Sequence, residues 1–211
     1  MRAYQTPLVR LYGTIRCLIL HQRFLDEIAQ YFPDSGLVLD VGCGYGIFAQ
    51  YYATLFPQLS IRGIDISPGR VEKATAAAHR LGLANVEFRV GDARDFACRE
   101  AIHGAYMMDL IHHIPEEAVF RLVKRFAEKL QPARRLIIKD IDTTPWYKLT
   151  YSWMVDKFMD YRAPLHYWSS SKVVQMLRSF GFDVYQHSLL GHLPSPHIVY
   201  IATKKAGASV C

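Results

Sequence analysis

Cysteine is scarce in this sequence. Only Cys17, Cys43, Cys98 and Cys211 occur, with no C-x-x-C pair and no His/Cys grouping at zinc spacing. That excludes a disulfide scaffold and a zinc-ribbon module, and the thiols read as free in a reducing compartment. His187, His192 and His197 recur at fives, which fits neither a helical face nor a strand face, so no metal is expected there. No run of five like charges occurs, and the net charge of +6 is spread along the chain. A basic nucleic-acid arm or an acidic tail is therefore excluded. Long apolar runs are lacking too. Arg10 and Arg16 interrupt the apolar N-terminal stretch, which makes it a poor signal peptide and too broken for a membrane span. There is no internal repeat and no low-complexity segment. The expectation is a soluble, cytoplasmic, single-domain protein, since 211 residues with 51% hydrophobic content suffice for one sizeable core.

Short apolar runs alternating with helical patterns are what the chain does contain. Leu8–Tyr31 has apolar residues at helical spacing, and Pro33 stops it. Leu37–Val41 is an apolar run, broken only by Asp40, that ends at glycines, the pattern of a strand buried on both faces. A helix over Tyr45–Phe56 ends near Pro57. Ser60–Asp65 is a second strand, and Ser67 with Pro68 opens a helix that runs to Leu81 and stops at Gly82. Val86–Val90 and Ala101–Met108 are the third and fourth strands. Pro115, Glu116 and Glu117 start a helix with Val119, Phe120, Val123, Phe126 and Leu130 on one face, its acids suited to the dipole. Arg135–Ile141 is the fifth strand, and Ser170–Phe180 is a helix ending at Gly181. Phe182–Leu189 and His197–Thr203 follow as strands with no helix between them. This rhythm predicts an α/β fold: a doubly wound, seven-stranded, mostly parallel sheet of Rossmann-like type, its last two strands an antiparallel hairpin at the edge. The parts would be an N-terminal helical cover (1–34), a cofactor-binding core (35–141), an aromatic-rich lid insertion (142–168), and a C-terminal helix and hairpin (169–211).

Ligands of such sheets bind beyond the carboxyl ends of the strands, which makes "LVLDVGCGYG" the first place to look. Gly42, Gly44 and Gly46 let the backbone turn sharply and approach a ligand closely. Their spacing is G-x-G-x-G, not the G-x-G-x-x-G of dinucleotide sites. Asp40 stands two residues before the first glycine, where a carboxylate would repel a pyrophosphate and attract a cation. S-adenosylmethionine carries a sulfonium and an ammonium and no phosphate. Asp65, at the end of the second strand, stands where an acid accepts hydrogen bonds from ribose hydroxyls. Asp92, at the tip of the third, can accept the exocyclic amine of adenine. Three acids at successive strand tips thus suit the amino-acid end, the ribose and the base.

The ordered stretches "VLDVGCGYG", "GIDIS", "GDARDF", "DLIHHIP" and "RLIIKDID" resemble the class I S-adenosylmethionine-dependent methyltransferases over roughly Ser35 to Lys205. The resemblance implies a seven-stranded sheet with an antiparallel last strand. It implies that Asp40, Gly42 and Gly44 line the methionine end, that Asp65 holds ribose with Ile66 against adenine, and that Asp92 meets the adenine amine beside Ala93. Met108 and Asp109 would lie near the sulfonium.

Methyl transfer needs a base only where the acceptor carries a proton that must leave, and His112 and His113 are the candidates for that role, or for a structural one. The lid insertion is rich in aromatic residues, Trp146 and Tyr161 among them, and Tyr12 adds another from the opening helix. They predict an apolar or aromatic-lined pocket for a small or lipid-like acceptor; the alternative is that these rings pack the lid onto the sheet or into a homodimer contact. Asp142 could bond an acceptor hydroxyl or cap a turn, and Tyr161 and His166 could meet an acidic head group. Family members that methylate exocyclic amides and adenine amines carry an Asn/Asp-Pro-Pro-Tyr turn after the fourth strand, where this chain reads "MMDLIHHIP". O- or C-methylation of a small molecule is favoured. The alternatives are an RNA methyltransferase, disfavoured for want of a basic cluster, and a non-catalytic S-adenosylmethionine-binding partner protein. Arg2, Arg10, Arg16 and Arg23 would suit an anionic membrane surface, but the N-terminal helix is better read as a cover on its own domain.

Overall fold

Apart from one helix within 142–168, strands and helices follow one another in the order the hydrophobic pattern predicts. The computed structural model describes residues 3–7, 9–11, 13–14, 22–95, 100–159, 164–188 and 195–206. Its elements are α1 (Gln22–Ala29), β1 (Gly36–Val41), α2 (Ile47–Leu55), β2 (Leu59–Asp65), α3 (Pro68–Arg80), β3 (Val86–Val90) and β4 (Ile102–Met108). Then come α4 (Glu116–Lys129), β5 (Leu130–Ile141), α5 (Trp146–Met159), α6 (Ser170–Ser179), β6 (Phe182–Ser188) and β7 (His197–Lys204). Short 3-10 turns lie at Ala93–Asp95 and Ile111–His113. The seven strands form one sheet in the order β3-β2-β1-β4-β5-β7-β6. The chain divides into two compact units, Met1–Ala105 and Tyr106–Cys211.

In the first unit β1 pairs in parallel with β2, and β2 with β3, which sets Val41 beside Ile64 and Asp65 beside Val90. The three strand ends that carry the candidate loop and acids are therefore neighbours by register. Leu39, Val41 and Ile61 are sealed within the sheet, while α2 buries Phe48, Ala49, Tyr52 and Ala53 and α3 buries Val71, Ala74, Ala77 and Ala78. Burying side chains the size of Tyr52 or Phe48 stabilises the fold by about 2–3 kcal/mol each. The N-terminal segment joins this packing. Tyr4 and Val9 cluster with Ala77, and the Tyr4 hydroxyl donates to the Tyr45 carbonyl at 2.6 Å, inside the glycine-loop region. Residues 9–11 and 13–14 are helical, as Leu8–Tyr31 was expected to be; Tyr12 lies outside the described residues.

In the second unit β7 lies between β5 and β6 and is antiparallel to both, so the expected hairpin forms with its last strand inward. Helix α4 buries Val119, Leu122, Val123 and Phe126, and α6 buries Val173, Met176 and Leu177. The strand expected at Arg135–Ile141 begins earlier, at Leu130, directly after α4. Its pairing with β7 nonetheless starts at Arg135, opposite Thr203. Pro132 offers no backbone donor and Ala133 has left-handed backbone, φ 61, which suits a β7 pairing that starts only beyond them. The insertion at 142–168 is not a bare loop. It holds the 14-residue helix α5. Apolar residues lie all round α5, which left no 3.6-residue stripe to read from the sequence. Among the described residues no helix is long and apolar enough to cross a membrane.

Candidate functional site

The glycine loop of the first unit is tied to β2 by its backbone and to Asp65 by a side chain. Gly42 and Cys43 donate their N–H groups to the Ile64 carbonyl at 2.8 and 3.0 Å. Asp65 accepts the Gly44 N–H on Oδ2 and the Ser67 N–H on Oδ1, both at 2.9 Å. Ser67 occupies the cap position of α3 as expected, but its own side chain makes no capping bond. Asp65 thus braces the loop while each oxygen keeps a lone pair for a further donor. Gly44 has φ 54, and among the described residues a Cβ built on it would meet nothing within 4 Å. Space therefore opens beside that backbone, the cradle that a closely approaching ligand needs. Gly46, φ 72, differs: its Cβ would lie 2.5 Å from the Phe88 ring. The first glycine is open toward a ligand, and the second is packed.

Asp40 is sealed at 1% exposure. Burial, then the charges of Asp40 and Asp65, drive the Cys43 thiol far above its ordinary pKa, so Cys43 stays protonated and inert. At the tip of β2, Ile66 is exposed next to Asp65, an apolar surface where a base could lie. Asp92 accepts the Arg94 backbone N–H at 2.8 Å and is gripped by the Arg94 guanidinium, with contacts of 2.5–3.0 Å. That hydrogen bonding holds its carboxyl below the usual pKa. Ala93 follows it in the 3-10 turn.

The second unit carries a separate set of charged groups. Met108, which ends β4, is buried, and Asp109 beyond it has left-handed backbone, φ 55. Its carboxylate pairs with Lys139 at 2.5 Å, and that lysine is fully buried in β5. The next turn holds His112, 1% exposed. Its Nδ1 lies 2.5 Å from Asp140 Oδ1, while Asp140 Oδ2 accepts the Ile111 N–H at 2.9 Å. Burial pulls the His112 pKa down, but the charge and hydrogen bond of Asp140, with Asp109 and Asp156 behind it, raise it overall. The other ring nitrogen, Nε2, is buried with no hydrogen-bond partner among the described residues and lies 3.7 Å from Asp156 Oδ2. Tyr167 donates to Asp156 at 2.7 Å and stacks on the His112 ring. His113 is exposed; desolvation first, then the adjoining His112, lower its pKa.

The residues expected on the acceptor side are dispersed. Asp142 accepts the Thr143 and Ser170 N–H groups at 2.7 and 3.1 Å, and so holds the start of α6. His166 is exposed and gives its backbone N–H to the His112 carbonyl at 2.7 Å. Trp146 is 74% exposed at the start of α5. Tyr161, like Tyr12, lies outside the described residues. Tyr147, Tyr151, Trp153 and Met154 are exposed along the same helix, whereas Trp168, at the end of the insertion, is buried with its ring beside Phe120. Lys139 and Asp156 were not foreseen. A lysine inside the apolar run "LIIKDI" was the available signal for the first, since a buried ammonium requires an acid beside it.

A glycine loop braced by the acid of the adjoining parallel strand, at the strands' carboxyl ends, defines a nucleoside-binding domain of Rossmann-like type. Comparison narrows this class. Residues 38–133 match the family model described as a methyltransferase domain. A ubiquinone biosynthesis O-methyltransferase from Xanthomonas axonopodis pv. citri is 29% identical over 115 residues, 54% of this chain and 46% of that protein. The chain thus spans less than half the length of that curated relative. The crystal structure of the YcgJ protein from Bacillus subtilis superposes with TM-score 0.71 at 17% identity, over 89% of this chain and all of the other. Magnesium protoporphyrin IX methyltransferase from Synechocystis PCC 6803, with bound S-adenosylhomocysteine, gives 0.69 at 20% identity, over 88% and 84%. Likenesses that distant show the fold. The match over residues 38–133 shows a methyltransferase domain, and these findings support a class I S-adenosylmethionine-dependent methyltransferase.

Proposed function

We propose that the protein binds S-adenosylmethionine in the glycine-loop cradle and methylates an oxygen of a small, apolar or aromatic acceptor. The open space beside Gly44 is the observation that carries the cofactor reading. Asp65 takes the ribose hydroxyls with its remaining lone pairs, Ile66 and Ala93 flank the adenine, and Asp92 accepts the adenine amine in competition with Arg94. Gly42 and Gly44 lie against the methionine end, with the field of Asp40 behind them, and Met108 and Asp109 are the residues assigned to the sulfonium. When bound, the cofactor supplies an electrophilic methyl group, so the chain's own work is to bind, orient and exclude water.

The acceptor reading rests on α5, whose Trp146, Tyr147, Tyr151, Trp153 and Met154 are 41–74% exposed. A soluble chain rarely leaves such a face uncovered without a use for it. The likeness to a ubiquinone biosynthesis O-methyltransferase points to the same acceptor chemistry, a ring hydroxyl on an apolar molecule. A hydroxyl must lose its proton as it is methylated, and the His112, His113, Asp140 and Asp156 group is the part of the second unit able to assist that loss. Titration with S-adenosylhomocysteine by calorimetry, followed by transfer of a labelled methyl to a panel of catechols, polyprenyl phenols and total RNA, tests the reading. Labelled phenolic product supports it. Label on RNA alone, or cofactor binding with no transfer to any substrate, overturns the acceptor assignment.

A further inference from the structure

We propose that His112, His113 and Asp156 form a binding site for a divalent transition-metal ion of the zinc class. The inference deepens the proposed O-methylation, since a hydroxyl bound to such an ion is acidified and releases its proton to water. One ligand atom from each of the three residues lies within 4.8 Å of the other two. His112 Nε2 and Asp156 Oδ2 are 3.7 Å apart. Two ligands of a tetrahedral zinc, each about 2.0–2.2 Å from the ion, stand roughly 3.4 Å apart, so closure requires shifts of tenths of an ångström to about an ångström.

A second observation makes this more than proximity. His112 is fully buried, its Nδ1 is held by Asp140, and Nε2 has no hydrogen-bond partner among the described residues although it lies 3.7 Å from a carboxylate. A carboxylate on one ring nitrogen with the other nitrogen directed at a ligand set is how proteins orient metal-binding histidines. Asp140 is itself fixed by the Ile111 and Ile141 N–H groups, at 2.9 and 2.7 Å. Tyr167 fixes Asp156 by a hydrogen bond from its hydroxyl. His113 is exposed, so the site has a solvent side. Three protein ligands with an open side are the arrangement of a catalytic zinc, in contrast to the four closed ligands of a structural one. Two histidines and a carboxylate also suit Fe2+ and Co2+, which gives the test a spectroscopic probe.

The test uses the full chain, stripped with chelator and free of cofactor. Zinc titration by calorimetry should give one saturable site, and Co2+ should develop visible absorption from a low-symmetry site. His113→Ala, at an exposed position, should weaken zinc binding at least about 100-fold without loss of the circular dichroism spectrum. Asp156→Asn should weaken it comparably. Asp140→Asn, which only orients His112, should weaken it by about 10–100-fold. His79→Ala, on the surface of α3, should leave it unchanged. No saturable zinc site, or equal affinity in wild type, His113→Ala and Asp156→Asn, overturns the proposal and leaves His112 as an imidazolium held between two carboxylates. S-adenosylhomocysteine binding, measured on the same samples, separates the failures: zinc can fail while the cofactor binds, and the cofactor can fail while zinc binds.

Discussion

Gly44 and Gly46 carry opposite predictions. Both have left-handed backbone, φ 54 and 72, so alanine at either costs about 1–2 kcal/mol in strain. Their surroundings separate them. On Gly46 a Cβ lies 2.5 Å from Phe88 Cζ and 2.9 Å from the Ala74 Cβ. Phe88 is a buried ring of β3 with no open side to retreat to. Overpacking adds about 1–3 kcal/mol, so Gly46→Ala should lose about 2–5 kcal/mol in all, a large part of the stability of an ordinary domain. On Gly44 the methyl meets no atom of the described residues within 4 Å. Gly44→Ala should therefore lose only the strain, but it places a carbon where the cofactor must approach the backbone. A loss of about 2 kcal/mol in binding corresponds to roughly 30-fold in affinity. Urea denaturation followed by circular dichroism gives the first quantity, and calorimetry with S-adenosylhomocysteine at folded conditions gives the second. Wild-type affinity in Gly44→Ala, or equal stability losses in the two variants, would refute the assignment of the open space to the cofactor.

Lys139→Met removes the ammonium from a pair in which the lysine is fully buried and should cost about 3–5 kcal/mol in urea denaturation. Adding Asp109→Asn, which tolerates the left-handed backbone, should recover much of that loss. Trp146→Ala and Trp153→Ala alter exposed rings and should change stability by less than about 0.5 kcal/mol; acceptor KM should rise several-fold while S-adenosylhomocysteine affinity holds, as calorimetry beside steady-state kinetics can check. The fourth concerns pH. Asp92 has its pKa lowered in the fold, by the Arg94 hydrogen bond first, so its contribution is fully present above the unfolded value of about 3.9 and fades as pH falls through the lower folded value. Cofactor affinity should stay flat from pH 8 to about 5. In Arg94→Ala the acid loss should move upward toward the ordinary carboxyl range, and an unchanged acid limb in that variant would dissociate Arg94 from the state of Asp92.

The sheet was legible because its strands are short apolar runs ended by glycine, proline or acid. The candidate loop and its acids were legible for the same reason, since Asp40, Asp65 and Asp92 mark three consecutive strand ends that the register makes neighbours. What the sequence hid is how the acids are used. Asp65 looks like a ligand for ribose, and the structure adds that it fastens Gly44 and Ser67. Asp65→Ala therefore cannot be read as a pure binding variant, whereas Asp65→Asn keeps one oxygen in place. The helix within 142–168 was hidden too. Periodicity detects a helix through contrast between its faces, and among its described residues α5 exposes Trp146, Tyr147, Tyr151, Trp153 and Met154 while it buries Ser152, the reverse of the expected contrast.

The chemistry of the second unit was out of reach for a different reason. His112 and Asp140 are 28 residues apart, and only the placement of β5 beside the turn after β4 brings them together. Asp156 reaches the same ring from α5, a helix that left no sequence pattern. No local spacing encodes a ligand set drawn from a turn and a later helix, with the end of another strand behind them, which is why a search for zinc-like spacing found none. Burial supplies the missing signal. An imidazole sealed from water with an unpartnered nitrogen is costly unless something occupies that nitrogen during function. Either a proton is shared with Asp156, in which case the group is an internal ion pair, or a cation sits between them. The two differ in one respect: a metal would draw in the exposed His113, which an ion pair between His112 and Asp156 has no need of. The affinity of His113→Ala for zinc therefore decides between them.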